Sequence, residues 1–341
     1  AGQARMQIVR NHIELADSRI SSRDIRRLFA KQNDLTIPDT SKIIQNEHFQ
    51  YILDGRTHVQ NPQGMYAQKL SSDSLILTMQ TSSLANIRQA ILQNHLNPGQ
   101  FHHGASMSGL ACLSEEERDL GSLVIDMGGG TTSMALFMEG RVVFTDTITM
   151  GGTQITRDIA RVLSISMQDA ERLKVIDGTV FASSTMSAPA SNLPMRGDNF
   201  VLSGNMSDLD MVNLPNDEQI ECQLLNSIIK TRLEEILETL LARLAKANMQ
   251  HAVGNRIVLT GGGARLTGMA EFISSNWKKN ARIGNPKHFS GLGEREDTYS
   301  LAAVLGMALH IQSSPAKEQV LQQSQSLSNK RFGRFGNWLL E

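Results

Sequence analysis

A chain of 341 residues is long for one core and predicts two or more domains. Its 40% hydrophobic and 20% charged residues are those of a soluble globular protein, and a net charge of -1 gives no basic field to attract nucleic acid. No apolar run reaches the roughly 18 to 20 residues of a membrane span, no signal-peptide pattern opens the chain, and Cys112 and Cys222 match no metal or redox spacing, so both read as reduced, structural cysteines of a cytosolic protein.

The chain starts at Ala1, without an initiator Met, and enters a strand pattern almost directly, which predicts a missing upstream piece. Apolar alternation from Met6 to Ile13 predicts a strand. Ser21-Ser22-Arg23-Asp24 offers a cap for a helix through Phe29 and Ala30, and Phe49 to Leu53 and Leu75 to Met79 read as two more strands. The order strand, helix, strand, strand makes a small α+β module over residues 1–81. Within it Asp54-Gly55-Arg56-Thr57 reads as a surface turn, because Arg56 stands where a phosphate turn wants a small residue. Leu84, Ile87, Ile91 and Leu92 then have helical spacing up to Leu96, and Pro98-Gly99 ends that helix. A second helix of small and apolar residues runs from Ala105 to Leu113, and the acidic Glu115, Glu116 and Glu117 after it read as a solvated face.

Leu123, Val124 and Ile125 form a short apolar run suited to a buried strand, and Asp126 follows where that strand emerges. Gly128, Gly129 and Gly130 remove every Cβ from the next turn, so successive N–H groups can point at one anion, with Thr131 and Thr132 adding hydroxyl donors. A bare carboxylate beside phosphates would repel them, so Asp126 implies a divalent cation, Mg²⁺. Met134, Leu136 and Phe137 resume the apolar pattern; a Walker loop would instead run into a helix with a Gly-Lys-Ser/Thr ending. Taken alone, three glycines also fit an ordinary hairpin turn. Arg141 to Thr147 continues the sheet. Gly151-Gly152 precedes a helix from Thr153 to Leu163, whose free N–H groups and positive dipole end offer a second place for a phosphate, unless the pair is a hinge. Glu171 and Lys174 share one helix face, either to reach a ribose or base together or to form an exposed ion pair.

From Phe181 to Asp217 the chain is rich in Ser, Ala, Asn and Gly, with Pro189, Pro194 and Pro215, and reads as a mobile insertion around a short strand near Phe200 to Leu202. Glu221 to Lys246 is a long amphipathic helix with Leu225, Ile228, Leu233, Ile236, Leu237, Leu240 and Leu244 on its stripe. Arg232 lies at the stripe's edge, placed either to serve a partner's carboxylate or to pair at the surface. A second apolar strand, Arg256 to Leu259, runs into Thr260, Gly261, Gly262, Gly263, Ala264 and Arg265 and opens toward a helix from Leu266 to Ile273. Leu301 to Ile311 is an Ala-rich helix, and Gln312 to Ser328 cannot bury enough apolar surface to fold alone. In the tail, at about 100° per residue, Phe332, Phe335 and Leu339 fall on one side of a helix. Lys330, Arg331 and Arg334 occupy the other side, and Trp338 and Leu340 flank the apolar stripe. Such a helix lies in the interface of an anionic membrane; the alternative is a disordered tail with stray aromatics.

With both glycine turns and Glu171/Lys174 between them, the chain resembles the actin, Hsp70 and sugar-kinase superfamily. Its module order and tail narrow the resemblance to the FtsA family of bacterial cell-division proteins. The likeness spans essentially the whole chain and rests on VIDMGGGTT, GGTQITRDIA, DAERLKV and IVLTGGGARLTGM in combination. It implies an actin-like two-domain α/β fold in which an inserted strand-helix-strand-strand (SHS2) module, residues 1–81, replaces one actin subdomain. Residues 82–118, with a helix at 298–312, would complete the first subdomain, and 119–165 with 256–297 would carry the phosphate and adenosine motifs. Residues 166–255 would bind the C-terminal peptide of FtsZ, the tubulin-like ring protein, while 313–328 would be a linker and 329–341 the membrane-targeting helix.

By resemblance, Asp126 holds Mg²⁺ through water, Gly128, Gly129, Gly130, Thr131 and Thr132 cradle the β- and γ-phosphates of ATP, and Gly151 and Gly152 line the phosphate side of the cleft. Glu171 and Lys174 contact ribose and adenine, Gly261, Gly262, Gly263 and Ala264 pack against the nucleoside, and Arg232 falls where the family has a helix arginine at the FtsZ contact. The implied protein is a peripheral adaptor at the cytoplasmic face of the inner membrane. It binds ATP, self-associates into actin-like filaments, ties FtsZ to the membrane at the Z ring and helps recruit later division proteins. The family's first phosphate turn, Asp-x-Gly-Thr/Ser, is absent, so weak or no ATP binding is expected of this chain, and Ser133 in place of an acidic residue predicts at most a slow ATPase. A sugar or acetate kinase would need a general-base carboxylate beyond Asp126, and an actin-like pilus-assembly protein would lack the amphipathic tail.

Overall fold

The computed structural model describes residues 4–16, 19–30, 37–180, 211–213, 219–286 and 298–313. The first module is an antiparallel sheet of β1 (Ala4–Glu14), β2 (Ser41–Leu53), β3 (Thr57–Val59) and β4 (Lys69–Gln80), ordered β1-β4-β2-β3, with helix α1 (Ser22–Ala30) on one face. Helix α1 starts where Asp24 N–H donates to Ser21 Oγ and Ser21 N–H donates to Asp24 Oδ2 at 3.0 Å, a reciprocal cap. It buries Leu28 with Ile13, Ile20 and Leu70. Asp54 (φ 50), Gly55 (φ 73) and Arg56 form the three-residue turn joining β2 to the unforeseen β3, closed by Arg56 N–H donating to Leu53 O at 3.0 Å. Strand β2 begins well before Phe49, and polar residues and two register shifts break the alternation that would have marked it.

Helix α2 (Thr81–Gln93) stops short of Pro98-Gly99, and none of its residues is buried. Helix α3 (Gly104–Cys112) is buried on nearly every side. The acidic run expected as a solvated face is the first turn of α4 (Glu115–Leu120), where Ser114 and Glu117 form a capping box and Glu117 pairs with Arg282 at 2.7 Å.

The second sheet has the order β11-β10-β5-β6-β7, built from β5 (Ser122–Met127), β6 (Thr132–Met138), β7 (Arg141–Ile148), β10 (Arg256–Thr260) and β11 (Asn280–Ile283). β10 runs parallel to β5 and β11, whereas β5, β6 and β7 are antiparallel. Between β7 and β10 come α5 (Gly152–Val162), α6 (Met167–Ile176), β8 (Met211–Asn213), β9 (Gln219–Glu221) and α7 (Cys222–Lys246). β5 is apolar without alternation because both faces are covered. Leu123 and Ile125 join the core that also buries Leu233, Ile236 and Leu240 of α7. Val124 faces α3, together with Leu75 and Leu77 of β4 and Leu305 of α9 (Ala302–Ser313).

After β10 the chain takes a 3-10 turn over Gly262–Arg265, and only after Gly268 (φ 82) does α8 (Met269–Trp277) begin, later than the expected start at Leu266. The strand expected near Phe200 to Leu202 and the tail from 314 onward lie outside the described residues.

Candidate functional site

Parallel pairing of β10 with β5 sets Thr260 beside Asp126, so both glycine turns leave the same end of the sheet as neighbours. Gly261 (φ +84) lies so close that an added Cβ would come 2.5 Å from Asp126 Oδ1 and from Met127 O, and one on Gly263 would strike the Met127 side chain. Nothing lies within 4 Å of a Cβ added at Gly130 or Gly262, so the open mouth of the paired turns is there.

The first turn closes with Gly128 N–H donating to Thr131 O at 2.8 Å. The carbonyls of Gly128 and Gly129 accept from Gly152 N–H (3.0 Å) and Thr153 N–H (2.7 Å) at the start of α5. In a trans peptide the N–H points opposite to its carbonyl, so the two peptide units gripped by α5 direct the N–H groups of Gly129 and Gly130 away from it. With the N–H of Thr131, these make no hydrogen bond among the described residues. Consecutive open donors, polarised from behind by helix amides, make this turn a candidate anion cradle.

Two expectations change. The first amides of α5 are not free: Gly151 N–H donates to Gln154 Oε1, Gly152 and Thr153 to the glycine turn, and Gln154 back to Gly151 O. Orphan helix donors take the nearest acceptors, here the carbonyls of the turn, and Gly151 is glycine because a Cβ would come 2.4 Å from Gly128 O. The helix thus supports the cradle from behind and supplies it no donors. Thr132 is fully buried and its hydroxyl donates to Met150 O at 2.8 Å, so it fastens β6 and offers no phosphate contact.

Burial pushes the Asp126 carboxyl above its ordinary pKa, opposed by a 2.6 Å hydrogen bond from Ser108 Oγ. Oxygen donors beside an open amide cradle fit a hard cation and the phosphates it accompanies, so the residues present suit Mg-nucleotide. Glu171 and Lys174 do form an ion pair (2.6 Å), but a less exposed one than the sequence offered: Lys174 Nζ also donates to Thr156 Oγ1 at 2.9 Å and Gly152 O at 3.2 Å. Burial would raise the Glu171 carboxyl, but the hydrogen bonds from Lys174 and Thr156 outweigh it and hold it low. The pair thus stands at the first turn of α5, on the cradle's border.

A polar row missed by the sequence reading crosses the sheet beside Asp126. Ser133 Oγ is 3.0 Å from Thr147 Oγ1, which is 2.9 Å from Nε2 of buried His103, and His103 N–H donates to Gln45 Oε1 of β2. Its members come from four distant segments, so only the fold could reveal it. Arg232 finds its carboxylates within the chain, Asp158 on α5 at 2.5 Å and Glu235 one turn along α7. It borders a groove of about 380 Å³ between α5 and α7, with Arg161, Val162 and Ile228, and Arg161 makes no ion pair among the described residues. Phe332, Phe335, Trp338 and the basic residues of the tail lie outside the described residues.

A family model described as "Cell division protein FtsA" matches residues 123–306, and one described as "SHS2 domain inserted in FTSA" matches residues 1–78. The chain is 30% identical to the cell division protein FtsA of Agrobacterium fabrum, covering 100% of this chain and 75% of that protein. It is 26% identical to the Escherichia coli protein of the same description, covering 96% and 74%. Among solved structures it resembles the PilM-PilN type IV pilus biogenesis complex (TM-score 0.57, 16% identity, 90% of this chain and 76% of that one). It also resembles MreB5 of Spiroplasma citri bound to ADP (TM-score 0.51, 17% identity, 70% and 67%). These structural likenesses establish an actin-like fold.

Proposed function

The chain belongs to the FtsA family of cell-division proteins, and from that footing we propose that it is an ATP- and Mg²⁺-binding adaptor that joins FtsZ to the membrane at the division site. The observation that carries the nucleotide part is the cradle: open amides at Gly129, Gly130 and Thr131, the second turn pressed against it, and Asp126 between them. Mg-ATP bound there would supply charge neutralisation and a link between the two turns. The chain's own part is to orient phosphates with backbone donors and the cation with Asp126. Ser133 bonds Thr147 where a base would stand, which supports binding and assembly over rapid hydrolysis. Self-association into actin-like filaments and contact with later division proteins belong to the same reading.

For FtsZ the favoured surface is the groove between α5 and α7. Arg232 is already neutralised by Asp158 and Glu235, so among the groove's described residues Arg161 is the cation without an ion pair, placed to meet an acidic peptide, with Val162 and Ile228 beside it for an apolar side chain. Arg161→Glu is expected to weaken the FtsZ C-terminal peptide about fivefold or more and to flatten its salt dependence. Arg232→Glu should weaken it too, with a loss of stability, because two internal carboxylates lose their partner. A peptide that binds both variants as it binds wild type, read by fluorescence anisotropy, would put the contact elsewhere.

The membrane part rests on the tail, Lys330 to Leu340, as among the described residues no helix is long and apolar enough to cross a membrane. Each basic residue adds about 1 kcal/mol near anionic lipid and each fully buried aromatic or Leu about 1.5 to 3, before ordering costs. Gly333 and Gly336 each weaken the helix by about 1 kcal/mol, so it should fold only on lipid. One tail is then a reversible anchor, and stable attachment needs several presented together by a filament. In vesicle flotation, Trp338→Glu and a chain ending at Ser328 should both remain with the soluble fraction; equal flotation of all three on anionic lipid would remove the anchor.

A further inference from the structure

We propose that Ser108 is a positioning residue for the cation site, holding Asp126 in the one orientation from which it serves a bound cation. A serine inside a helix ordinarily turns to solvent or bonds back to the carbonyl four residues earlier. Ser108 is fully buried and instead donates across the interface from α3 to β5, reaching Asp126 Oδ2 at 2.6 Å, a short charge-assisted bond. It is the one hydrogen bond that this carboxylate makes among the described residues. Burial alone does not produce the contact, since Ser106 on the same helix is equally buried and its hydroxyl has no partner among the described residues.

The donor is held in place by the packing of α3. A Cβ on Gly109 would come 2.2 Å from the Phe137 ring, and one on Gly306 of α9 would come 1.7 Å from Met107 O, so α3 is fixed between sheet and helix at van der Waals contact. An interior packed this closely does not let the hydroxyl drift. With Oδ2 engaged by α3, Oδ1 is the oxygen facing the Gly261 turn, where the approach is tight enough to exclude a Cβ. Asp126 is thereby oriented by two elements that meet only in the folded chain. Groups that orient a carboxylate serving a metal, directly or through its water, typically change metal affinity about 10–100-fold.

This proposal rests on the Mg-ATP reading, and the test separates the two. The dissociation constant of ATP is measured on the purified chain by equilibrium dialysis at millimolar nucleotide, once in EDTA and once in excess Mg²⁺, and the ratio of the two reports the cation's contribution. Ser108→Ala is expected to shrink that ratio about tenfold or more. Ser108→Thr, which keeps the hydroxyl, should retain most of it, and Ser108→Cys, similar in size with a weaker donor, should fall between. A general loss of packing would weaken ATP in both media and leave the ratio in place. A wild-type ratio well above one with an unchanged ratio in Ser108→Ala and Ser108→Cys overturns the role of Ser108. No cation gain in wild type overturns the Mg-ATP reading, and the role of Ser108 with it.

Discussion

Leucine in place of Gly262 is expected to abolish the weak ATP binding of this chain, through the ~3 kcal/mol of a badly overpacked contact, while leaving unfolding within about 0.5 kcal/mol of wild type. The two halves of that expectation come from the same fact. A Cβ at Gly262 meets nothing within 4 Å and its φ is not left-handed, so the fold has room for a side chain. The room lies at the mouth of the paired turns, where the nucleotide would sit. Its neighbours behave differently: alanine at Gly261 would press on Asp126 and Met127 within 2.5 Å, and at Gly263 on the Met127 side chain, so those changes damage the fold itself. Asp126→Ala should remove the Mg²⁺ dependence of binding with little harm to folding, because the carboxylate is held at a desolvation cost. Calorimetry showing unchanged ATP affinity in both the Gly262 and the Asp126 variant would place the nucleotide elsewhere.

The parts of this architecture that were legible in the sequence are local. The continuous apolar run before Asp126, the stripe of α7 and the two glycine turns each announce themselves within about a dozen residues, and their combination marked the family. What the sequence did not show is which loop each group meets. Two glycines before α5 correctly marked a helix start, yet the amides there were taken by the carbonyls of a turn more than twenty positions earlier, which no pattern in either segment displays. Thr132 looked like a phosphate donor by its place after three glycines, but strand alternation points it inward to Met150 O. Arg232 stands out in the sequence as a cation at the edge of an apolar stripe, whereas Asp158, which neutralises it, lies 74 positions away on another helix. Ser108 and His103 sit among small, apolar or loop residues with no motif about them, and become visible only when α3 is laid against the sheet.

Acid should loosen the junction that α3 makes with the sheet and the first module, and His103 is the residue on which this turns. Its ring is buried, Nε2 faces the uncharged Thr147 hydroxyl and Nδ1 has no partner among the described residues, which give an imidazolium there no counter-charge. Burial accordingly pushes its pKa down from 6.5 to about 4. Above 6.5 the ring is neutral in both folded and unfolded chains and adds no pH dependence. Between 6.5 and 4 the unfolded chain takes up a proton that the folded chain refuses, so stability falls as pH falls; below 4 both states are protonated and the slope ends. One unit of pKa difference is about 1.4 kcal/mol, so this residue alone should remove about 2 kcal/mol by pH 5 and about 3 kcal/mol in full. His102, edge-to-face with His310, is shifted in the same direction by burial and then by that neighbour, and adds to the trend. Urea titrations at pH 7, 6 and 5 of wild type and His103→Gln isolate the effect. Glutamine costs packing at every pH but cannot be protonated there, so the variant's stability should lie lower at pH 7 and fall by about 2 kcal/mol less than wild type on going to pH 5. Parallel pH slopes for the two proteins would mean that the His103 ring is not what acid acts on, and that His102 and the carboxylates carry the dependence.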